Sequence, residues 1–153
     1  MTAPRSGARR TLADFSVPSE PGNERLAMEE VAEAVKGLGL SEQRLERLKT
    51  AVAEASLNAM EHGNHYRAEL PVLIEVSVSD VDLSVKITDE GSGPPSFHAE
   101  TPDLKAKLAG MQSPRGWGFF LIKHMVDDMN VTGDEHHTIE LIMHLDGRAE
   151  GGK

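Results

Sequence analysis

Residues 72–88, VLIEVSVSDVDLSVKIT, restrict the fold more than any other stretch of this chain. Val72, Ile74, Val76 and Val78 alternate with Leu73, Glu75, Ser77 and Ser79, a period of two that belongs to a strand with one apolar face. Asp80-Val81-Asp82 supplies a turn, after which Leu83, Val85 and Ile87 alternate with Ser84, Lys86 and Thr88. Two such runs joined by a short polar turn read as an antiparallel hairpin with one buried face. Other elements must cover that face.

Helices supply the cover. From Pro21 to Leu38, the residues Leu26, Val31, Ala34, Val35 and Leu38 recur at helical spacing, and Gly37 and Gly39 stop the run. Ser41 is an N-cap for the next helix, with Glu42 in its first turn. In that helix Leu45, Leu48, Val52, Ala55 and Ala59 fall on one face, His62 sits in the last turn and Gly63 is the terminator. A third, mostly apolar helix follows the glycines of RGWGFFLIKHMVDDM, and 103–109 reads as a short helix. Residues 11–17 read as an edge strand of weak alternation. Strands at 129–133 and 138–145 close the chain, with Ile139, Leu141, Met143 and Leu145 on one side of the last. Helices with one apolar stripe must all lie on the apolar side of the sheet. The expected class is therefore α+β: a two-layer α/β sandwich with a mostly antiparallel, mixed sheet and its helices on one face. A single domain is expected over 10–146, with flexible termini at 1–9 and 147–153.

Composition narrows the function classes. With no cysteine, disulfides and thiolate metal sites are excluded and the cytoplasm is permitted. A net charge of -9 argues against broad contact with a nucleic-acid backbone and is compatible with protein or small-ligand partners. No run approaches the roughly 18 apolar residues of a membrane span. MTAPRSGARR is basic but has no apolar segment after it, so it does not read as a secretory signal.

Three polar clusters could carry chemistry. Glu54 and Asn58, four residues apart, point the same way from neighbouring turns at the flank of the apolar stripe. A carboxylate there can accept a proton from a nucleophile, and an amide oxygen can bind Mg²⁺. Alone, the pair reads first as a solvated helix edge. Asp89-Glu90-Gly91-Ser92-Gly93 follows a strand directly, and its glycines would let backbone approach a ligand, but a plain turn has the same composition. Arg115-Gly116-Trp117-Gly118 opens a helix, where free N–H groups and an arginine suit phosphate; a hinge before a core helix is the alternative. The spacing matches neither the P-loop nor the dinucleotide fingerprint. Among the seven histidines there is no H-E-x-x-H; His136-His137 read as part of a hairpin turn and His124 as a core-edge residue. Trp117 would either stack on a partner or plug the core.

Taken together and in this order, the clusters resemble a known superfamily. Glu54-x-x-x-Asn58 with His62-Gly63 is similar to the N-box, Asp89-x-Gly91-x-Gly93 to the G1 box, and Gly116-x-Gly118 to the G2 box, of the GHKL or Bergerat-fold ATP-binding proteins. Within it, LKTAVAEASLNAMEHGN and RGWGFFLIKHMVDDM resemble the small serine-protein kinases that act as bacterial anti-sigma factors. The resemblance implies ATP and Mg²⁺ as cofactors, Glu54 as general base toward a protein serine, and Asn58 as the Mg²⁺ ligand. It implies Asp89 as reader of the adenine amino group, with Gly91 and Gly93 giving base and ribose room. Residues 94–115 would be the ATP lid, Gly116 and Gly118 would present N–H groups to the phosphates, and Arg115 could meet the γ-phosphate. The implied partners are a STAS-domain anti-anti-sigma protein, a sigma factor and a second copy of the chain, with neither nucleic acid nor membrane. Three features depart from the family pattern: Pro94 and Pro95 after the G1 glycines, a short lid, and an arginine abutting Gly116 where a relative could place it a residue earlier. Two other readings survive at this level: a module that sequesters a protein without phosphotransfer, and a kinase wired to a switch that involves no sigma factor.

Overall fold

The computed structural model describes residues 9–91, 118–133 and 136–145. Strand β1 (Arg10–Val17) leads to helix α1 (Asn23–Ala34), a 3-10 turn (Lys36–Leu38) and the long helix α2 (Glu42–Asn58), which continues into a π turn (Ala59–Gly63). The hairpin β2 (Val72–Val78) and β3 (Asp82–Asp89) follows, then helix α3 (Gly118–Met125) and the hairpin β4 (Asp128–Gly133) and β5 (His137–His144).

The sheet has the order β1-β2-β3-β5-β4 and every neighbouring pair is antiparallel. The mixed component expected from the sequence is absent among the described residues. The reason is topological. The crossover through α3 sends β4 parallel to β3 but one place too far, and β5 turns back into the gap between them.

Alternation sets the register. Ile74 faces Ile87, Val76 faces Val85 and Val78 faces Leu83 across the first hairpin. Ile139, Leu141 and Met143 extend the same three rows from β5. All nine side chains are buried, each contributing roughly 1.5–3 kcal/mol relative to exposure. β1 is the edge strand that 11–17 suggested, with Phe15 opposite Ile74 and Val17 opposite Val72.

The covering layer agrees with the expected stripes except at α1. Leu48, Ala51, Val52, Ala55, Ala59 and Met60 of α2 and its π turn are buried on the sheet. Ser41 caps α2, its Oγ accepting from the Arg44 N–H at 3.2 Å. On α1, Leu26 is 45% exposed and Ala27 takes its place, because Ala27, Val31 and Val35 at intervals of four make a straighter stripe. The helix also stops at Ala34, and the run to Leu38 finishes as the 3-10 turn, capped by Gly39 at φ 77°.

The opposite face of the sheet is polar and uncovered among the described residues. Asp14, Glu75, Lys86, Glu140 and Asn130 form one row across all five strands and line a depression of about 460 Å³. Glu140 holds the row together, accepting from Ser84 Oγ at 2.6 Å and from Asn130 Nδ2 at 3.3 Å.

Candidate active site

Helix α2 carries Glu54 and Asn58 and then runs into the only stretch of π geometry among the described residues, Ala59–Gly63. The apolar stripe pins α2 to the sheet, so its flank is fixed as well. Glu54 is half-buried, and burial first, then the Glu24 carboxylate from the first turn of α1, pushes its carboxyl above the ordinary range. Asn58 is 4% exposed and its amide makes no hydrogen bond to a described residue. The amide atoms are not among the described side-chain atoms sealed from solvent without a partner. That leaves it suited to a ligand.

Widening of the final turn then redirects the chain. The Asn64 N–H donates to the Ala59 carbonyl at 2.9 Å, and His65 and Tyr66 both take positive φ, 53° and 56°. π turns concentrate at functional sites. Here the turn presents Gly63 to the end of β3. A Cβ on Gly63 would lie 2.1 Å from Asp89 Oδ2 and 2.2 Å from its Cγ. Gly63 is not among the positive-φ glycines. It does not end the helix by backbone conformation, as the sequence suggested; its missing side chain admits the aspartate.

Asp89 is 2% exposed at the last position of β3. Its Oδ1 accepts from the Gly91 N–H at 2.8 Å and lies 3.1 Å from His137 Nδ1. Burial pushes the Asp89 carboxyl up, and the Gly91 N–H and then His137 oppose that shift. Gly91 approaches the π turn as closely as Gly63 approaches Asp89: a Cβ on it would lie 2.6 Å from the Gly63 carbonyl oxygen. The strand end and the helix end are therefore interlocked through two glycines. Gly91 and Asp89 sit where sequence reasoning put them, at one place with the end of α2.

Asn64 was missed by sequence reasoning. It is wholly buried, and its Oδ1 accepts from the Glu90 N–H at 2.8 Å. Its Nδ2 donates to Ser19 Oγ and the Leu70 carbonyl, both at 2.9 Å, and lies 3.3 Å from the Pro71 carbonyl. One amide thus ties the π turn to the residue after Asp89, to the approach to α1 and to the start of β2. In the sequence it looks like an ordinary turn asparagine after a glycine.

His137 was also missed, and its expected place is corrected. It does not lie in a hairpin turn with His136; it opens β5, opposite Asp89, and is 4% exposed. His136 is exposed, with Nδ1 3.8 Å from Glu90 Oε1. His124 is exposed too, stacked on Phe120 at 4.4 Å between ring centroids, and so is not a core-edge residue. Gly118 is the first residue of α3. Gly93, Arg115, Gly116, Trp117, the lid 94–115 and the short helix 103–109 lie outside the described residues.

No cluster of three or more His, Cys, Asp or Glu among the described residues could hold a metal ion. A divalent ion at this site would depend on one amide and on its ligand's own oxygens, the habit of Mg²⁺ with nucleotide phosphates. The Asn58 amide, one turn after Glu54 and without a hydrogen bond to a described residue, fits that role.

An antiparallel sheet covered on one face thus carries an acid-amide pair on its covering helix and a buried aspartate at the adjoining strand end. Residues 17–143 match the Histidine kinase-like ATPase domain, and the chain belongs to that family. It is similar to the Anti-sigma F factor of Bacillus subtilis (strain 168), with 30% identity over 134 residues, 86% of this chain and 90% of that one. It is also similar to the Serine-protein kinase RsbW of Listeria innocua, with 26% identity over 137 residues, 86% of this chain and 85% of that one. Two solved structures share the fold at TM-score 0.60. The RsbU and RsbW domains of Rv1364c from Mycobacterium tuberculosis are 14% identical, over 86% of this chain and 32% of that one. A chain of the SiaB–SiaC complex from Pseudomonas aeruginosa is 11% identical, over 88% of this chain and 90% of that one.

Proposed function

We propose that this chain is a serine-protein kinase acting as an anti-sigma factor, which moves the γ-phosphoryl group of ATP to a serine of a STAS-type anti-anti-sigma protein. The kinase unit would be one domain over 10–146. The names of the relatives support the activity. The observation that carries it is Glu54, half-buried with a raised carboxyl, one turn before the buried Asn58 amide and on the helix whose end interlocks with Asp89. A scaffold that only bound nucleotide would have no use for a base at that place.

Asp89 would accept a hydrogen bond from the adenine amino group. Gly63 admits the Asp89 carboxylate and Gly91 closes on the Gly63 carbonyl, which would hold that carboxylate toward the base; Gly93 would give the ribose room. Asn58 would hold Mg²⁺ with the triphosphate. When bound, the ion neutralises phosphate charge. Gly116 and Gly118 would offer N–H groups to the phosphates at the α3 start, with Arg115 beside them. Glu54 would take the proton of the incoming serine as its Oγ bonds to the γ-phosphorus and the bond to the β–γ bridging oxygen breaks, releasing ADP. Such chemistry relies on positioning and charge stabilisation. A carboxyl raised toward the working pH is a better base than an ordinary glutamate.

Phosphorylation would release the STAS partner and leave the kinase free to hold a sigma factor. A second copy of the chain is a further proposed partner. No described helix is long and apolar enough to cross a membrane, and we place the protein's work in the cytoplasm.

Incubation with γ-labelled ATP, Mg²⁺ and a STAS-domain protein tests this directly. The label is expected on a serine of the partner. Binding of the partner with no label transferred contradicts the kinase reading and leaves sequestration alone.

A further inference from the structure

The pair Asp89 and His137 is more elaborate than an adenine-reading carboxylate needs. The two residues face each other across β3 and β5, and both are buried. Their side chains meet at 3.1 Å, Nδ1 to Oδ1. The next strand makes room for the ring: Gly133 pairs with His137, and a Cβ there would lie 2.9 Å from its Cδ2. Gly63 makes the matching room for the carboxylate. Two glycines on different elements therefore fix where the imidazole and the carboxylate sit.

Oδ1 accepts from the Gly91 N–H and lies 3.1 Å from His137 Nδ1, and the His137 backbone N–H is a further donor to the carboxylate. Oδ2 is set against Gly63. An ionised carboxylate offers only lone pairs, so Nδ1 must carry its hydrogen to face Oδ1 without repulsion. We propose that His137 is a positioning residue for base selection: with Gly91 it engages Oδ1 of Asp89, orienting the carboxylate so that Oδ2 is the acceptor for the 6-amino group of a purine. This rests on the reading of Asp89 as part of an ATP site.

The consequence is specificity. Adenine presents a donor at position 6, whereas hypoxanthine presents an acceptor there. A carboxylate held as a pure acceptor takes the first and rejects the second. With the imidazole removed, one of the groups that oppose the upward push of burial on the Asp89 carboxyl is lost, and a protonated acid can donate as well as accept. The distinction between the two bases would then fade.

The experiment compares the dissociation constants of ATP and inosine triphosphate by calorimetry. Wild type is expected to prefer ATP strongly. His137→Leu is expected to reduce the preference by at least about tenfold. His137→Asn, whose amide nitrogen reaches close to the place of Nδ1, should restore most of it, which loss of packing alone would not predict. Gly133→Ala, which keeps the imidazole but pushes on Cδ2, should erode the preference in the same direction and serves if His137→Leu does not fold. An unchanged preference in folded His137→Leu or, failing that, in Gly133→Ala overturns the inference while leaving the ATP site standing. Wild type that binds neither nucleotide overturns the site itself and the inference with it.

Discussion

Glu54→Gln leaves Mg·ATP binding intact and reduces phosphoryl transfer to the partner serine by at least 10² to 10⁴, the usual contribution of a positioned base. Glutamine keeps the size and the hydrogen-bonding reach of glutamate but cannot take a proton. Nucleotide binding should survive because the groups proposed to hold it, Asp89, Gly91 and Asn58, are elsewhere. Calorimetry and label transfer, run on the same preparation, separate the two effects. The pH profile adds a second signature. The base works ionised, so the rate falls as pH drops through its raised pKa, and the acid limb lies above the ordinary glutamate range. Glu24 contributes to that shift after burial. Glu24→Gln should therefore move the acid limb to lower pH without abolishing transfer. Full transfer by Glu54→Gln, measured against wild type, would remove Glu54 from the chemistry.

Gly63→Ala is expected to damage both fold and site. The added methyl would meet Asp89 Oδ2 at 2.1 Å, Cγ at 2.2 Å and Cβ at 2.7 Å. Asp89 cannot swing away cheaply, since its backbone is paired with His137 in the sheet and its Oδ1 is engaged by Gly91 and His137. The π turn must yield instead, and it is tied by Asn64 to Glu90, Ser19 and Leu70. Overpacking of this kind costs about 1–3 kcal/mol, to be read from urea unfolding. Displacement of the carboxylate should weaken ATP by at least about tenfold, or about 1.4 kcal/mol. Gly37→Ala is the matched control: nothing lies within 4 Å of its Cβ and its φ is not positive, so stability should hold or rise slightly. Equal behaviour of the two variants would show that the close approach at Gly63 has no bearing on the site.

Local periodicity made the frame legible. Alternation over 72–88 specified the central hairpin and its apolar face, and the observed pairs Ile74–Ile87 and Val76–Val85 join apolar residues on that face. The Ser41 cap and the buried face of α2 were equally readable, because caps and stripes are properties of neighbouring residues. Chain order does not reveal strand insertion, so the place of β5 between β3 and β4, and with it the all-antiparallel sheet, could not be read. Leu26 misled because a leucine near a stripe outweighs an alanine on it when only hydrophobicity is counted. At the site, Glu54, Asn58, Asp89 and Gly91 carried recognisable spacing. Asn64 and His137 did not: each acts through a partner far along the chain, Glu90 for the one and Asp89 for the other. The purpose of Gly63 was hidden for the same reason, since only the fold brings Asp89 against it.

Titration of the wild-type chain with ATP, with and without Mg²⁺, tests most directly whether these groups serve a single nucleotide. One ATP per chain is expected, bound more tightly with Mg²⁺, and weakened by about 1–3 kcal/mol when Asp89→Asn mispairs the buried hydrogen bond. Heat of binding that is absent, or indifferent both to Mg²⁺ and to Asp89→Asn, would contradict the account.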